Sequence, residues 1–365
     1  MKRRLADKIL LMLLCSALLL GCVGLTFFPA ARYSERENRM LASLPSLTRE
    51  SLTSGELGRA LDTYATERAP FRGICRSLWS TATLALGQAE SHGVILCRDG
   101  SLSRRIVTDP VVLEKNLAVL SRISAALGDT PLVVAIAPRR IDARKAVLPR
   151  LYDTSEELAV YDALPDTALT FPDCTDDADW FRTDHHWTAT GAYHAYVALA
   201  PVLGYTPHER TAFTPVTVST TFRGTSCAAA GIPFVRPDEI VLWRYADDEA
   251  YRVVRDGMAA QFCGLYDLSR LSCGDQYSVF LGGNCGILEI DRGDEDTRPV
   301  LLMVKDSFAN ALIPFLAQHF RIAAIDPRYR AASLSVLAER ADAALVLCGL
   351  QTIGCEPFLT PLLRR

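Results

Sequence analysis

Two stretches of this sequence carry the residue types of acyl-transfer chemistry. Thr183-Asp184-His185-His186-Trp187-Thr188 places a carboxylate and two imidazoles at consecutive positions. More than a hundred residues later, Val300-Leu301-Leu302-Met303-Val304-Lys305-Asp306-Ser307-Phe308 is an apolar run that ends at a serine. If the two meet, they supply a nucleophile, a base and a carboxylate that orients the base, the minimum set for transfer through a serine ester. Asp184 and His186 are two apart, and in an extended segment residues at that spacing project to the same side. Asp184 then accepts from one nitrogen of His186 and leaves the other for the Ser307 hydroxyl. The same alternation turns His185 away as a supporting residue, and makes Trp187 packing that limits water near the base.

Ser307 stands between an apolar strand pattern and a helical one. In open parallel sheets, reactive groups collect where strands end and helices begin, and helical N–H groups there stabilise an oxyanion. The oxyanion candidates are the Ser307 N–H, Gly283 or Asn284 in Gly282-Gly283-Asn284, and Arg328 or Tyr329 after the following strand. Each has a plainer counterpart. Serine is a preferred helix cap, Gly-Gly-Asn is an ordinary hairpin turn, and Arg328 is equally a surface residue. Asp184, His185, His186 and His194 are all zinc-ligand types, yet adjacent histidines rarely hold one ion with good geometry. The primary reading therefore uses no metal and no cofactor, and a metallohydrolase stands as an alternative.

The elements that must position these groups follow an α/β rhythm. Gly93–Cys97 reads as a strand closed by the turn Arg98-Asp99-Gly100. Helices are expected over Val111–Leu127, Glu156–Leu164 and Thr188–Leu203, with a continuous apolar strand over Pro131–Pro138. Strand, helix, strand, helix, strand follow at Val300–Val304, Phe308–Phe320, Ile322–Ile325, Ala331–Ala341 and Ala344–Leu347. This predicts a three-layer parallel sheet with helices on both faces. Residues 205–295 instead alternate between turn signals, as an antiparallel β insertion. An acidic loop carries Asp173, Asp176, Asp177 and Asp179. Ser51–Leu86 has helical spacing, broken at Ala69-Pro70-Phe71-Arg72, and residues 30–55 read as a stalk. The expected organisation is an anchor over 1–29, stalk and helices over 30–90, and an α/β domain over 91–365.

With 365 residues, 49% of them hydrophobic, the chain can bury a sizeable core. A net charge of −3 gives no reason to expect a nucleic-acid partner. Basic residues 1–8 precede Ile9–Phe28, twenty residues without a charge. That length matches a bilayer, so a single-pass signal anchor with an extracytoplasmic domain is expected. A lipoprotein box at Leu19-Leu20-Gly21-Cys22 and a cleaved signal peptide are the alternatives. Of eleven cysteines, Cys15 and Cys22 fall in the apolar segment. A Cys263–Cys273 disulfide and buried free thiols are both open readings for the rest.

Asp184-His185-His186-Trp187 resembles the signature of the DHHW proteins, relatives of the periplasmic alginate acetylation proteins with a rearranged SGNH-hydrolase-like fold. In those relatives the Asp-x-His element precedes the serine, reversing the usual SGNH order. Other matching pieces are Glu37-Asn38-Arg39, Gly93-Val94, Phe222-Arg223-Gly224-Thr225, Leu281-Gly282-Gly283-Asn284, Asp306-Ser307-Phe308 and Ile325-Asp326-Pro327-Arg328-Tyr329. The resemblance implies a triad of Ser307, His186 and Asp184 acting on acyl esters of an extracytoplasmic polysaccharide, with acetyl delivered by a membrane-bound acyltransferase partner. O-acetyl transfer is the expected activity. An acetyl esterase of the same glycans is one alternative; a non-catalytic glycan-binding component, recognising through the acidic loop and β insertion, is another.

Overall fold

The strand that leads to Ser307 lies at the centre of the molecule's main sheet. A computed structural model describes residues 41–69, 72–150, 152–171, 173–330 and 341–363, with short pieces of 8–40. The chain divides into two compact units, residues 1–92 with 228–233, and residues 93–227 with 234–365.

In the first unit, helices cover Arg49–Thr53, Glu56–Arg68 and Arg72–Ala85. The break falls where the sequence places Pro70. Ala69, just before it, turns to ψ 131, as steric conflict with a following proline ring requires. Residue 42 is held to the second helix, Arg68 Nε donating to the Ala42 carbonyl at 3.1 Å. Of the apolar segment 9–28, residues 9, 11–13, 15, 16, 19–21, 23 and 24 are described, all of them helical. Among the described residues no helix is long and apolar enough to cross a membrane.

In the second unit, β1 (Val94–Leu96) and β2 (Leu102–Arg104) form an antiparallel hairpin. Helix α1 (Pro110–Leu127) starts where Asp109 accepts from the Val111 and Val112 amides, with proline at its first position, and stops at Gly128. Then come β3 (Leu132–Ala137), α2 (Ser155–Asp162), β4 (Leu169–Thr170) and α3 (Ala189–Leu203), the last capped by Thr188. The middle region gives β5 (Thr214–Phe222), β6 (Asp238–Arg244), β7 (Arg252–Arg255), β8 (Met258–Ala259) and β9 (Ile287–Asp291). The chain closes with β10 (Val300–Lys305), α4 (Ala309–Leu316), β11 (Arg321–Ile325), β12 (Ala343–Gly349) and α5 (Leu350–Cys355). The helix expected over 331–341 falls outside the described residues except at its last position.

The main sheet has eight strands in the order β8-β7-β9-β11-β10-β12-β3-β4. From β11 to β4 neighbours are parallel, and from β8 to β11 they are antiparallel. The sheet is therefore mixed rather than parallel throughout. The insertion is not one separate module: β5 and β6 pair as their own ribbon, while β7, β8 and β9 extend the sheet. Alternation reports that one face of a strand is buried, but not which neighbour completes its hydrogen bonds.

Burial follows the pleat. Along β10, Leu301 and Met303 join a core cluster with α3 and α4, while Leu302 and Val304 join a second cluster with α1 and α5. Both faces of the parallel strands are covered, which is why these strands read as unbroken apolar runs. The first core cluster ends near a ring stack in which Tyr196 and His319 share a 2.7 Å hydrogen bond. Burial, then His208 and Arg298, lowers the His319 pKa from 6.5 to about 4. The unfolded chain therefore binds more protons between those values, and stability falls as pH drops through that window. Thermal midpoints measured at pH 7 and 4.5 should show this drop, and His319→Phe should flatten it.

Candidate active site

Ser307 follows β10 in a turn that Asp306 shapes. The buried Asp306 carboxylate accepts from the Phe308 amide at 2.9 Å, the Gly349 amide at 2.7 Å and the Thr352 hydroxyl at 2.7 Å. The terminus of α4 is thus served by Asp306, and the Ser307 hydroxyl is left for another partner. That partner is His186, whose Nε2 lies 2.7 Å from Ser307 Oγ. Among the described residues the Ser307 N–H has no acceptor.

Residues 180–187 form a tight loop closed by an antiparallel bridge between Trp180 and Trp187. Its first limb is held by Asp238, at the start of β6, which accepts from the Arg182 and Thr183 amides at 2.8 Å and from the Thr183 hydroxyl. Burial raises the Asp238 pKa. Its second limb is held by Trp187, fully buried, whose indole donates to the Phe308 carbonyl at 3.0 Å. That bond ties the base segment to the residue after the serine. Trp187→Phe should cost about 1–3 kcal/mol, the penalty of an unpartnered buried carbonyl, read by chemical denaturation, and lower turnover.

The loop bends at its tip instead of running extended. Asp184 Oδ1 accepts from the His186 amide at 3.0 Å, the local turn that aspartate favours, and from His186 Nδ1 at 2.5 Å. Asp184 Oδ2 accepts from the Thr225 amide at 2.6 Å and its hydroxyl at 2.9 Å. Burial pushes the Asp184 pKa up, but His186, His185 and these donors outweigh it and hold the group well below its usual value. An ionised acceptor at Nδ1 assigns the ring proton there and leaves Nε2 to accept from Ser307.

The bend also overturns the expected orientation of His185. Its ring does not point away: it lies 3.8 Å from the His186 ring and lines the cavity beside Ser307. His185 Nδ1 meets the Thr225 hydroxyl at 2.8 Å. Burial, then the neighbouring His186, keeps its pKa well below the ordinary histidine range. On the other face of His186, Tyr277 stacks at 3.9 Å and 4°, and its hydroxyl donates to the Ser307 carbonyl at 3.2 Å. Nothing in the sequence around Tyr277 singled it out.

Two glycines permit these approaches. A Cβ on Gly224 would lie 2.2 Å from both Asp184 Cβ and Oδ2, and one on Gly349 would lie 2.6 Å from the Phe308 ring.

The oxyanion candidates fare unequally. Arg328 lines the cavity and is paired with Asp326 at 2.9 and 2.8 Å. Gly283, Asn284 and Tyr329 do not line it. The Asn284 side chain meets Asn310 at 3.0 Å and the Tyr329 hydroxyl at 3.4 Å, and Gly283 offers its carbonyl to Arg255 at 3.3 Å. The potential ligand atoms of Asp184, His185 and His186 lie within 4.8 Å of one another. However, both carboxylate oxygens, both His186 nitrogens and His185 Nδ1 are already committed to the hydrogen bonds above, which does not suit a shared ion. His194 is directed to Asp179 at 2.9 Å instead. In the acidic loop Asp177 pairs with Arg140, Arg144 and Arg182 and Asp179 is buried, while Asp173 and Asp176 are exposed. Cys263 and Cys273 are free thiols, not paired with each other.

An acid, two histidines and a tryptophan on one bent loop, facing a serine that follows them in sequence, is a recognisable pattern. Residues 173–325 match the DHHW protein family. The DHHW segment holds Asp184, His186, Gly224, Thr225, Tyr277 and Ser307; the cavity residues from β1–β3 and after β11 lie outside it. A DHHW family protein from Eubacterium siraeum DSM 15702 superposes with a TM-score of 0.61 at 20% identity, over 75% of this chain and 95% of that one. Bacillus cereus PatB1 with a sulfonyl adduct gives 0.57 at 16% identity, over 73% and 97%. The O-acetyltransferase domain of Pseudomonas putida AlgJ gives 0.44 at 16%, over 72% and 93%, too low for a shared fold to be argued from it. No curated protein matches the sequence. Beyond the DHHW match, the structural likenesses speak to fold alone.

Proposed function

We propose that the protein is an SGNH-like serine acyl-ester enzyme that transfers acetyl groups to a cell-envelope polysaccharide. The observation that carries this reading is the unbroken chain Asp184–His186–Ser307, with Nε2 2.7 Å from Oγ and the ring fixed by a buried carboxylate. Ser307 Oγ attacks the acetyl carbonyl as its proton passes to His186 Nε2. The carbonyl electron pair becomes an oxyanion, for which the unengaged Ser307 N–H is a donor in place. Collapse expels the donor's alkoxide, which takes the proton from His186. An acceptor hydroxyl then gives its proton to the same nitrogen and attacks the acetyl-serine; the bond to Ser307 Oγ breaks, Oγ takes that proton back from His186, and the acetylated glycan leaves; water in its place gives hydrolysis.

The cavity beside Ser307 is about 210 Å³, below the range of drug-sized sites, which suits an acetyl ester and one edge of a sugar ring. Acetyl and polysaccharide specificity rest on the resemblance of Asp184–Trp187 and Asp306–Phe308 to the DHHW proteins and their alginate-acetylating relatives. The charge-free stretch Ile9–Phe28 behind a basic start supports a single-pass anchor and an extracytoplasmic domain, and a membrane-bound acyltransferase as acetyl donor rests on the resemblance to the alginate-acetylating relatives alone. The test is release of nitrophenol from p-nitrophenyl acetate with and without glycan, with the glycan analysed for acetyl. Acetylated glycan identifies a transferase and acetate alone an esterase. No Ser307-dependent release under either condition removes the proposal.

A further inference from the structure

Four arginines line the cavity beside Ser307: Arg104, Arg139, Arg140 and Arg328. Three are neutralised from behind. Arg139 pairs with Asp142 at 2.6 Å and with Glu157, Arg140 with Asp99 at 2.6 Å and with Asp177, and Arg328 with Asp326 at 2.8 Å. Arg104 differs. Among the described residues it has no carboxylate partner and its Nη2 donates only to the Thr225 carbonyl at 3.3 Å; its buried Nε is unmet, as is that of Arg140, so the missing carboxylate is what sets Arg104 apart. A guanidinium carries five N–H donors and cannot shed its charge. A guanidinium that lines a cavity with no counter-charge beside it is open to an anion that enters that cavity.

Its position is fixed by the same frame as the reacting groups. Arg104 ends β2, whose Leu102 amide donates to the Arg182 carbonyl at 2.7 Å, so the strand runs beside the loop that carries Asp184 and His185. Arg139 Nη1 donates to the Arg104 carbonyl at 3.1 Å and holds that strand end in place. Arg104 also touches Thr225, which binds both Asp184 and His185.

From this we infer that Arg104 is a specificity residue that receives an oxyanion, carboxylate or phosphate, carried by the glycan whose hydroxyl enters beside Ser307. The acceptor is thus an anionic polysaccharide. A planar carboxylate or a phosphate can take two guanidinium N–H groups together, a fork-to-fork contact that also fixes orientation. The inference extends the acyl-transfer reading to its acceptor, while the anion contact can be measured without turnover.

The test is calorimetric titration of the purified full-length protein, its Ser307→Ala variant, Arg104→Gln and Arg104→Lys. The probes are trigalacturonate against its uncharged methyl ester, and glycerol 1-phosphate against glycerol. In wild type and Ser307→Ala, at least one charged probe should bind about tenfold or more tighter than its neutral partner. Arg104→Gln should bring that ratio close to one, and Arg104→Lys should keep part of it. The probe with the larger Arg104-dependent ratio names the anion. Equal binding of charged and neutral probes, or a ratio that survives Arg104→Gln, overturns the assignment. Nitrophenyl acetate hydrolysis run on the same samples reads the triad separately, so an intact anion preference without Ser307-dependent hydrolysis sinks the enzyme reading and leaves the anion site standing.

Discussion

Ser307→Ala should lower turnover of p-nitrophenyl acetate by about a thousandfold or more, and His186→Ala by a similar factor. The two groups act as one unit: the hydroxyl is a weak nucleophile until the imidazole takes its proton, and the imidazole has nothing to activate without the hydroxyl. The double variant should therefore be scarcely worse than either single one, because losses within a unit do not add. Asp184→Asn tests the third member. The asparagine can present its own N–H to Nδ1 and favour the wrong tautomer, so turnover should fall by about three to four orders of magnitude with the fold intact. Steady-state kinetics of the four variants, alongside circular dichroism, decide the matter.

The second large effect comes from a residue with no reactive group. Gly224→Ala places a methyl 2.2 Å from Asp184 Cβ and Oδ2, far inside contact distance. Backbone and a buried carboxylate cannot both hold still, so Asp184 must leave its Thr225 donors or the 224–225 turn must move. Overpacking of this kind costs about 1–3 kcal/mol. Displacing the orienting carboxylate by about an ångström is worth about a hundredfold in rate. Turnover and denaturation midpoint should therefore both fall, whereas Trp187→Phe, which leaves Asp184 its donors, should cost less rate.

What could be read from the sequence divides along physical lines. The strands β3, β10, β11 and β12 were legible because both faces are buried and length separates them from helices. Helix α1 was legible because Asp109, Pro110 and Gly128 mark both its ends. The mixed character of the sheet was not, because an alternating strand carries no record of its partner. At the site, the Asp184/His186 spacing pointed to a contact that the structure contains, for a reason only partly correct. The two do meet, but through a bend in which aspartate captures the His186 amide, and that bend brings His185 into the cavity. Gly224 and Thr225 stood in a recognised motif without a role, since their work is a close approach visible only in three dimensions. Tyr277, Asp238 and Arg104 left no local pattern, because each acts on residues distant in the chain.

The most direct measurement is rapid chemical quench of the protein with an aryl acetate, followed by peptide mass spectrometry. An acetyl group should appear on the peptide bearing Ser307 during turnover, be absent in Ser307→Ala and be strongly reduced in His186→Ala. Turnover that continues in Ser307→Ala, or acetyl found only on other residues, would contradict the account.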